Sequence, residues 1–280
     1  MIEQIISCVG SIVVAVLWLI ENLKKQDILW YEFIELCIPV IIVVVNIIVW
    51  CLKYAKLVWI KFFYGKLRVS MAYLFQIKIN DKYLLVGNSN KKYYQFPGGK
   101  YKFYDGAKTS LETMNKTEDD LLQNKKEREN DIAFNINPLK FHKFIKWFES
   151  GNDREIEHNR EFNEELLIQN QIPIEKFISL NFRKIRTIRT PLHRTNINNK
   201  KRYEFLSYDF LEPILSQEQK AYFTTLYEKG NTDHIKWVTK DEVEKLTILV
   251  DSNNYDENEQ EIRIGEHTLW CIEGKYSKRR

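Results

Sequence analysis

Residues Arg160 to Leu166 read REFNEEL. On a helix, Glu161, Glu164 and Glu165 are spaced so that all three carboxylates share one face. Like charges at that spacing weaken a helix, so a compensating cation is expected. A hard divalent ion such as Mg²⁺ suits the position, because it takes carboxylate oxygens and keeps open positions for phosphate. A solvated acidic helix face is the alternative. Upstream, FPGGK puts Pro97, Gly98 and Gly99 after an apparent strand. A glycine pair there lets the chain turn tightly and a ligand approach closely. Downstream, NFRKIRTIRTPLHRT carries Arg183, Lys184, Arg186, Arg189 and Arg194. Arginines on a strand facing the glycine turn would clamp phosphate bidentately, which makes Arg186, Arg189 and Arg194 ligand candidates alongside Gly98, Gly99 and the helix residue Arg160. Alternation sends strand residues to both faces, so an ordinary charged edge strand is also open. His193 and His267 read as surface or packed histidines.

The elements that must position these residues are mixed α and β. Strands are expected at Val69 to Ile79, Tyr83 to Val86 and Tyr93 to Phe96, with a turn at Asn80-Asp81. Thr109 to Asn130 is polar on every face and reads as a solvated helix or poorly ordered chain. Ile132, Phe134 and Ile136 alternate as in a strand. Pro138 opens a helix whose Phe141, Phe144, Ile145 and Phe148 form an apolar stripe, and Gly151 closes it. With Asn152 or Asp153 as cap, the acidic helix is expected to run from about Asp153 to Gln169. Strands follow at Leu180 to Arg189 and Tyr203 to Phe210. SQEQ at Ser216 and TKDE at Thr239 are capping boxes that open helices, with HIKWV as a last core strand between them. The acidic stretch 251–260 reads as a loop.

The glycine turn followed by R-E-aliphatic-x-E-E resembles the Nudix signature. By that resemblance Arg160 is the motif arginine and Glu161, Glu164 and Glu165 are its metal-binding glutamates, with Mg²⁺ as the implied cofactor. The chain departs from the pattern in three places. A long insertion separates Gly99 from Arg160, Asp105 stands where a glutamate is usual, and Leu167 stands where a glycine follows E-E-x. The box is therefore degenerate, and both ligand binding and pyrophosphohydrolysis remain open.

The start of the chain has a different character. Ile5 to Ile20 and Leu36 to Leu52 contain no charged residue. With flanking apolar residues each approaches the roughly 20 residues that span a bilayer core. Together they predict a two-helix transmembrane hairpin. Lys53, Lys56, Lys61, Lys66 and Arg68 follow the second span, so the positive-inside rule places both termini in the cytoplasm. KYAKLVWIKFFYGK either lies on the inner leaflet or continues the helix. Ser7, Ser11 and Ala15 form a small-residue stripe suited to helix association, and Asn46 is a polar group deep in the second span.

The expected architecture is thus a hairpin and juxtamembrane segment at 1–64 and an α/β, Nudix-like domain at 65–280. Its mixed sheet lies between helices, and an insertion at 106–152 interrupts the box. Net charge is +4 over 280 residues, too little for a general DNA or RNA binder. The four cysteines have no ligand spacing, which leaves zinc and disulfide frameworks unsupported. The whole resembles the SMODS-associated Nudix proteins, predicted effectors of bacterial cyclic-oligonucleotide antiphage signalling (CBASS). That resemblance implies a cyclic nucleotide made by a partner synthase, homo-oligomerisation, and disruption of the inner membrane bilayer by the spans. A membrane-anchored Mg²⁺-dependent Nudix hydrolase of a nucleoside diphosphate derivative is the alternative, and a membrane adaptor that binds only a partner is a third.

Overall fold

The structure is a computed structural model that describes residues 21, 30–87, 93–119, 130–168, 172–178, 180–197, 199–248 and 263–277. The chain divides into two units, Met1–Leu57 and Val58–Arg280. The first expected span, with Ser7, Ser11 and Ala15, lies outside the described residues, as does 251–260.

In the first unit the second apolar run is helical and does not stop where its charge-free stretch ends. Helix α1 runs Trp30–Tyr64 through Pro39 and through the lysine-bearing segment. That segment therefore continues the helix. Among the described residues one helix, Ile38–Tyr64, is long and apolar enough to cross a membrane. Asn46 is exposed and donates its side-chain amide to the Ile42 carbonyl of its own helix at 2.8 Å. Part of its polarity is thereby satisfied locally.

The second unit is built on strand β1, Leu67–Phe75, whose nine residues are all buried. A strand apolar on both sides needs cover on both faces. One edge of β1 pairs in parallel with the long strand β9 (Lys200–Ile214), from Leu67 opposite Tyr203 to Phe75 opposite Leu211. The other edge is shared. β5 (Gly98–Lys100) pairs with Ala72 to Leu74, and β6 (Ala133–Ile136), which the insertion supplies, pairs with Leu67 to Ser70. β7 (Asn181–Arg189) and β8 (His193–Ile197) pair with the far edge of β9, completing a mixed six-stranded sheet. A second, four-stranded sheet contains β2 (Lys78–Ile79), β3 (Lys82–Gly87), β4 (Tyr94–Gln95) and β10 (Ile235–Val238). The fold thus has two sheets where one was expected. β1 ends at Phe75, and the chain leaves for the second sheet before the Asn80-Asp81 turn, whose residues both have positive φ.

Between the two sheets lies a core that includes Leu74, Leu85, Phe96, Phe210 and Val238. Helix α7 (Glu266–Glu273), which the sequence reading did not anticipate, adds Leu269 and Trp270 to it. The opposite face of the six-stranded sheet is covered by the acidic helix. Phe162 from that helix meets Phe75 at 5.2 Å and Phe182 at 5.6 Å.

The described part of the insertion carries α2 (Lys108–Glu112), β6 and α3 (Phe141–Ser150). Ile132, Phe134 and Ile136 are buried, as their alternation predicts. The stripe on α3 packs on this same domain: Phe144 lies 5.9 Å from Phe134, and Phe141 lies 4.9 Å from Phe205. Gly151 closes α3 in the left-handed conformation, and both predicted capping boxes form, opening α5 (Gln217–Glu228) and α6 (Lys240–Lys245).

Candidate functional site

The acidic helix α4 begins at Asn159, six residues later than its sequence suggests. Asp153 has positive φ, and the chain beyond it runs alongside the β5 segment, where Glu155 N–H donates to the Lys102 carbonyl at 2.8 Å. This keeps 153–158 out of the helix. After Phe162 the winding widens to a π-helix over Asn163–Ile168. In a wider turn a residue three positions on no longer comes round to the same face. Glu164 accordingly stays exposed, while Glu161 and Glu165 are half-buried.

Arg160 organises the cluster. It donates to Glu155 from Nε (3.0 Å) and from Nη2 (3.2 Å). Nη1 donates to Glu161 (2.7 Å) and Glu164 (3.2 Å), and Nη2 also reaches the Lys100 carbonyl at 3.1 Å. Burial opposes the charge on Arg160, but its bonds to Glu155 and the nearby Glu161 hold it protonated above its ordinary range. The guanidinium thus ties three carboxylates to the strand that follows the glycine turn.

The glycines serve this contact directly. Gly98 has φ +138°, and a side chain there would overlap the backbone of Tyr73. A side chain on Gly99 would overlap the Glu161 carboxylate. Only a residue without Cβ lets Glu161 rest on the strand.

Burial raises three carboxyls of the cluster. Burial, with the charges of Glu161 and Glu164, pushes Glu165 up to about 7. No hydrogen bond reaches its carboxylate among the described residues. Burial likewise raises Glu161, with Arg160 opposing and Glu164 and Asp131 adding to the shift. Asp131 belongs to the insertion and lies 3.4 Å from Lys102 Nζ. Its pKa is also raised by burial, against Lys102, Lys100 and Arg160.

Three residues of this site escaped the sequence reading. Glu155 is the carboxylate that accepts twice from Arg160, whereas Asp105 is exposed and pairs with Lys108 at 2.8 Å. Asp131 arrives through the insertion. Tyr73 is fully buried, and burial raises its hydroxyl pKa, with Glu155 adding and Arg160 opposing. A glutamate about one turn ahead of the motif arginine was the available signal.

The basic strand is placed differently from the acidic helix. β7 is separated from β1 by β9. A bulge between Lys184 and Arg186 parts successive cations. Lys184 pairs with Asp209 at 2.8 Å and Arg183 with Glu212 at 3.0 Å. Arg189 pairs with Glu149 at 2.9 Å. The Arg186 guanidinium lies where a side chain on Gly274 would, at the C-terminal end of α7, whose dipole favours a cation. Arg194 is exposed on β8, opposite Tyr203. Of the six ligand candidates, Gly98, Gly99 and Arg160 are therefore brought together, and Arg186, Arg189 and Arg194 are engaged or exposed elsewhere. His193 pairs with Glu204, and His267 packs 5.3 Å from Tyr208 and bonds Gln95.

Mg²⁺ fits this donor set incompletely. Among the described residues no group of three or more His, Cys, Asp or Glu is drawn together so as to hold a metal ion. The cation among Glu155, Glu161 and Glu164 is the arginine itself, which leaves Glu165 as the uncompensated carboxyl.

A mixed sheet beside a second small sheet, with an R-E-x-x-E-E helix docked on a glycine turn, defines a Nudix-type domain. Residues 66–272 match the SMODS-associated NUDIX domain, and the chain belongs to that family. No curated protein matches it. No solved structure does either.

Proposed function

We propose that the chain is a membrane effector of CBASS-type antiphage defence. Its Nudix domain senses a cyclic nucleotide from a partner synthase, and its apolar helices assemble and breach the inner membrane. Family membership supplies the signalling context. The observation that carries the membrane half is the continuous helix Trp30–Tyr64. Its apolar residues Ile41, Ile42, Val43 and Ile48 are more than half exposed. Trp59, Phe62 and Phe63 are exposed beside Lys61 and Lys66, a mixture suited to the headgroup region. In this reading the chain is multi-pass with both termini cytoplasmic, and homo-oligomerisation concentrates weak helix contacts. The site favours binding over turnover, because Arg160 already neutralises the carboxylates that a metal would need. The test is dye release from liposomes holding the full-length protein, with and without cyclic dinucleotides. Ligand-dependent release is expected; its absence, together with absence of toxicity in cells making the messenger, overturns the reading.

A second reading is favoured by one observation, the Glu165 carboxyl, which no hydrogen bond reaches among the described residues. In a Mg²⁺-dependent hydrolase, Glu161 and Glu165 would hold the metal, which would activate water at phosphorus. Mg²⁺-dependent phosphate release from a nucleotide panel, lost in Glu165→Gln, would establish it.

A further inference from the structure

A second set of buried charges lies apart from the Arg160 cluster, and the insertion contributes to it. Arg68, just beyond the last turn of α1, is 7% exposed. Its Nε donates to Asp119 at 2.7 Å and its Nη1 to Glu204 at 3.3 Å. Arg202 donates from Nη1 to both Asp119 oxygens, at 2.8 and 3.0 Å. Its Nη2 lies 3.7 Å from Glu204, and His193 Nε2 lies 3.2 Å from Glu204's other oxygen. Two guanidiniums thus face two carboxylates. The Asp119 side chain is 3% exposed.

These residues have separate origins. Arg68 is on β1, His193 on β8, and Arg202 and Glu204 on β9. Asp119 alone among the five comes from the insertion, which also lays β6 along Leu67 to Ser70. Between Arg202 and Glu204 stands Tyr203, whose ring points to the other face of β9. There it meets Trp59 at 5.6 Å and Tyr64 at 4.9 Å, both from the final turns of α1. One strand segment therefore holds the root of the long helix on one face and the insertion's carboxylate on the other. Withdrawing Asp119 would leave the buried Arg68 and the half-buried Arg202 with Glu204 as their shared carboxylate among the described residues, and a buried charge stripped of its partner destabilises its surroundings. Arg202 Nε has no partner among the described residues.

We propose that the insertion is a clamp on the root of α1, closed by Asp119, and that withdrawal of Asp119 loosens the junction between helix and sheet. Its use as a switch rests on reading α1 as the output element. The clamp itself is tested without that reading, by hydrogen exchange on full-length protein in lipid nanodiscs. Asp119→Asn keeps the shape and removes the charge. Amides at 59–70 and 133–136 are expected to exchange about tenfold faster or more, with 159–168 unchanged. Asp119→Asn combined with Arg202→Leu restores charge balance and should return exchange at 59–70 towards wild type. The clamp is overturned by unchanged exchange at 59–70 in Asp119→Asn, by equal acceleration at 159–168, or by a double variant no slower than the single. Should Asp119→Asn fail to fold, the double variant decides alone: wild-type exchange supports the clamp, and failure to fold overturns it. If exchange behaves as expected while liposomes never leak, the clamp stands and the membrane reading falls.

Discussion

Arg160 meets its partners as a fork, with two contacts to Glu155 and one each to Glu161, Glu164 and the Lys100 carbonyl. A lysine cannot reproduce that fork. Arg160→Ala strands the buried Glu155 and the half-buried Glu161 and should lower domain stability by about 3–5 kcal/mol, with Arg160→Lys recovering less than half of it, measured by urea unfolding. The glutamate assignment is separable at this scale too. Glu155→Gln should cost roughly 2 kcal/mol, because it weakens a charge-assisted pair inside the fold. Asp105→Ala should stay within about 0.5 kcal/mol of wild type, because its pair is exposed. Equal losses in the two variants would contradict the assignment. Glu165 makes a pH prediction. Its folded pKa of about 7 exceeds the ordinary 4.5, so the folded state holds its proton more tightly than the unfolded chain. The stability this contributes is present below the ordinary value and is lost as pH rises through 7. Glu165→Gln should therefore match wild type near pH 4 and exceed it by about 1–2 kcal/mol at pH 8, allowing for partial solvent exposure. Melts showing no pH-dependent gap would remove the basis for an uncompensated carboxyl.

At the level of elements, local chemistry was a good guide wherever it was self-sufficient. The Ser216 and Thr239 caps form because each side chain and its glutamine or glutamate partner satisfy one another's backbone donors. Ser216→Ala should cost about 1 kcal/mol by chemical denaturation, chiefly through fraying of α5. β6 was legible because Ile132, Phe134 and Ile136 alternate. The elements that went unread were those whose reason to exist is distant in sequence. α7 shows no strong pattern of its own and is fixed by the core that Leu269 and Trp270 enter. β8 is short and polar and exists because β9 runs on past β1. The delayed start of α4 has the same origin, since Glu155 is held by Lys102 and Arg160.

For the molecule as a whole, the boundary between the two units falls inside α1, after Leu57. A lysine at Val45, in the middle of the apolar stretch, should oppose bilayer insertion by about 3 kcal/mol. Val45→Lys should lower the membrane-bound fraction in flotation assays while leaving the domain's unfolding midpoint unchanged. A lowered midpoint would show that the helix is part of the domain's folding unit. The sequence alone determined what short-range physics can determine: an apolar helix, the capped helices, alternating strands, and an arginine–glutamate run beside a glycine turn. Those features follow from composition and spacing over a few residues. The tertiary structure decided the rest. It brought Glu155 to Arg160 while Asp105 stayed exposed, left Glu164 at the exposed rim of the cluster, dispersed the basic strand among partners of its own, and folded the insertion onto the base of β1. Each of these depends on which groups distant in sequence come together, and where the cation is buried, as at Arg68, the cost of leaving it unpaired is settled only when the chain closes around it.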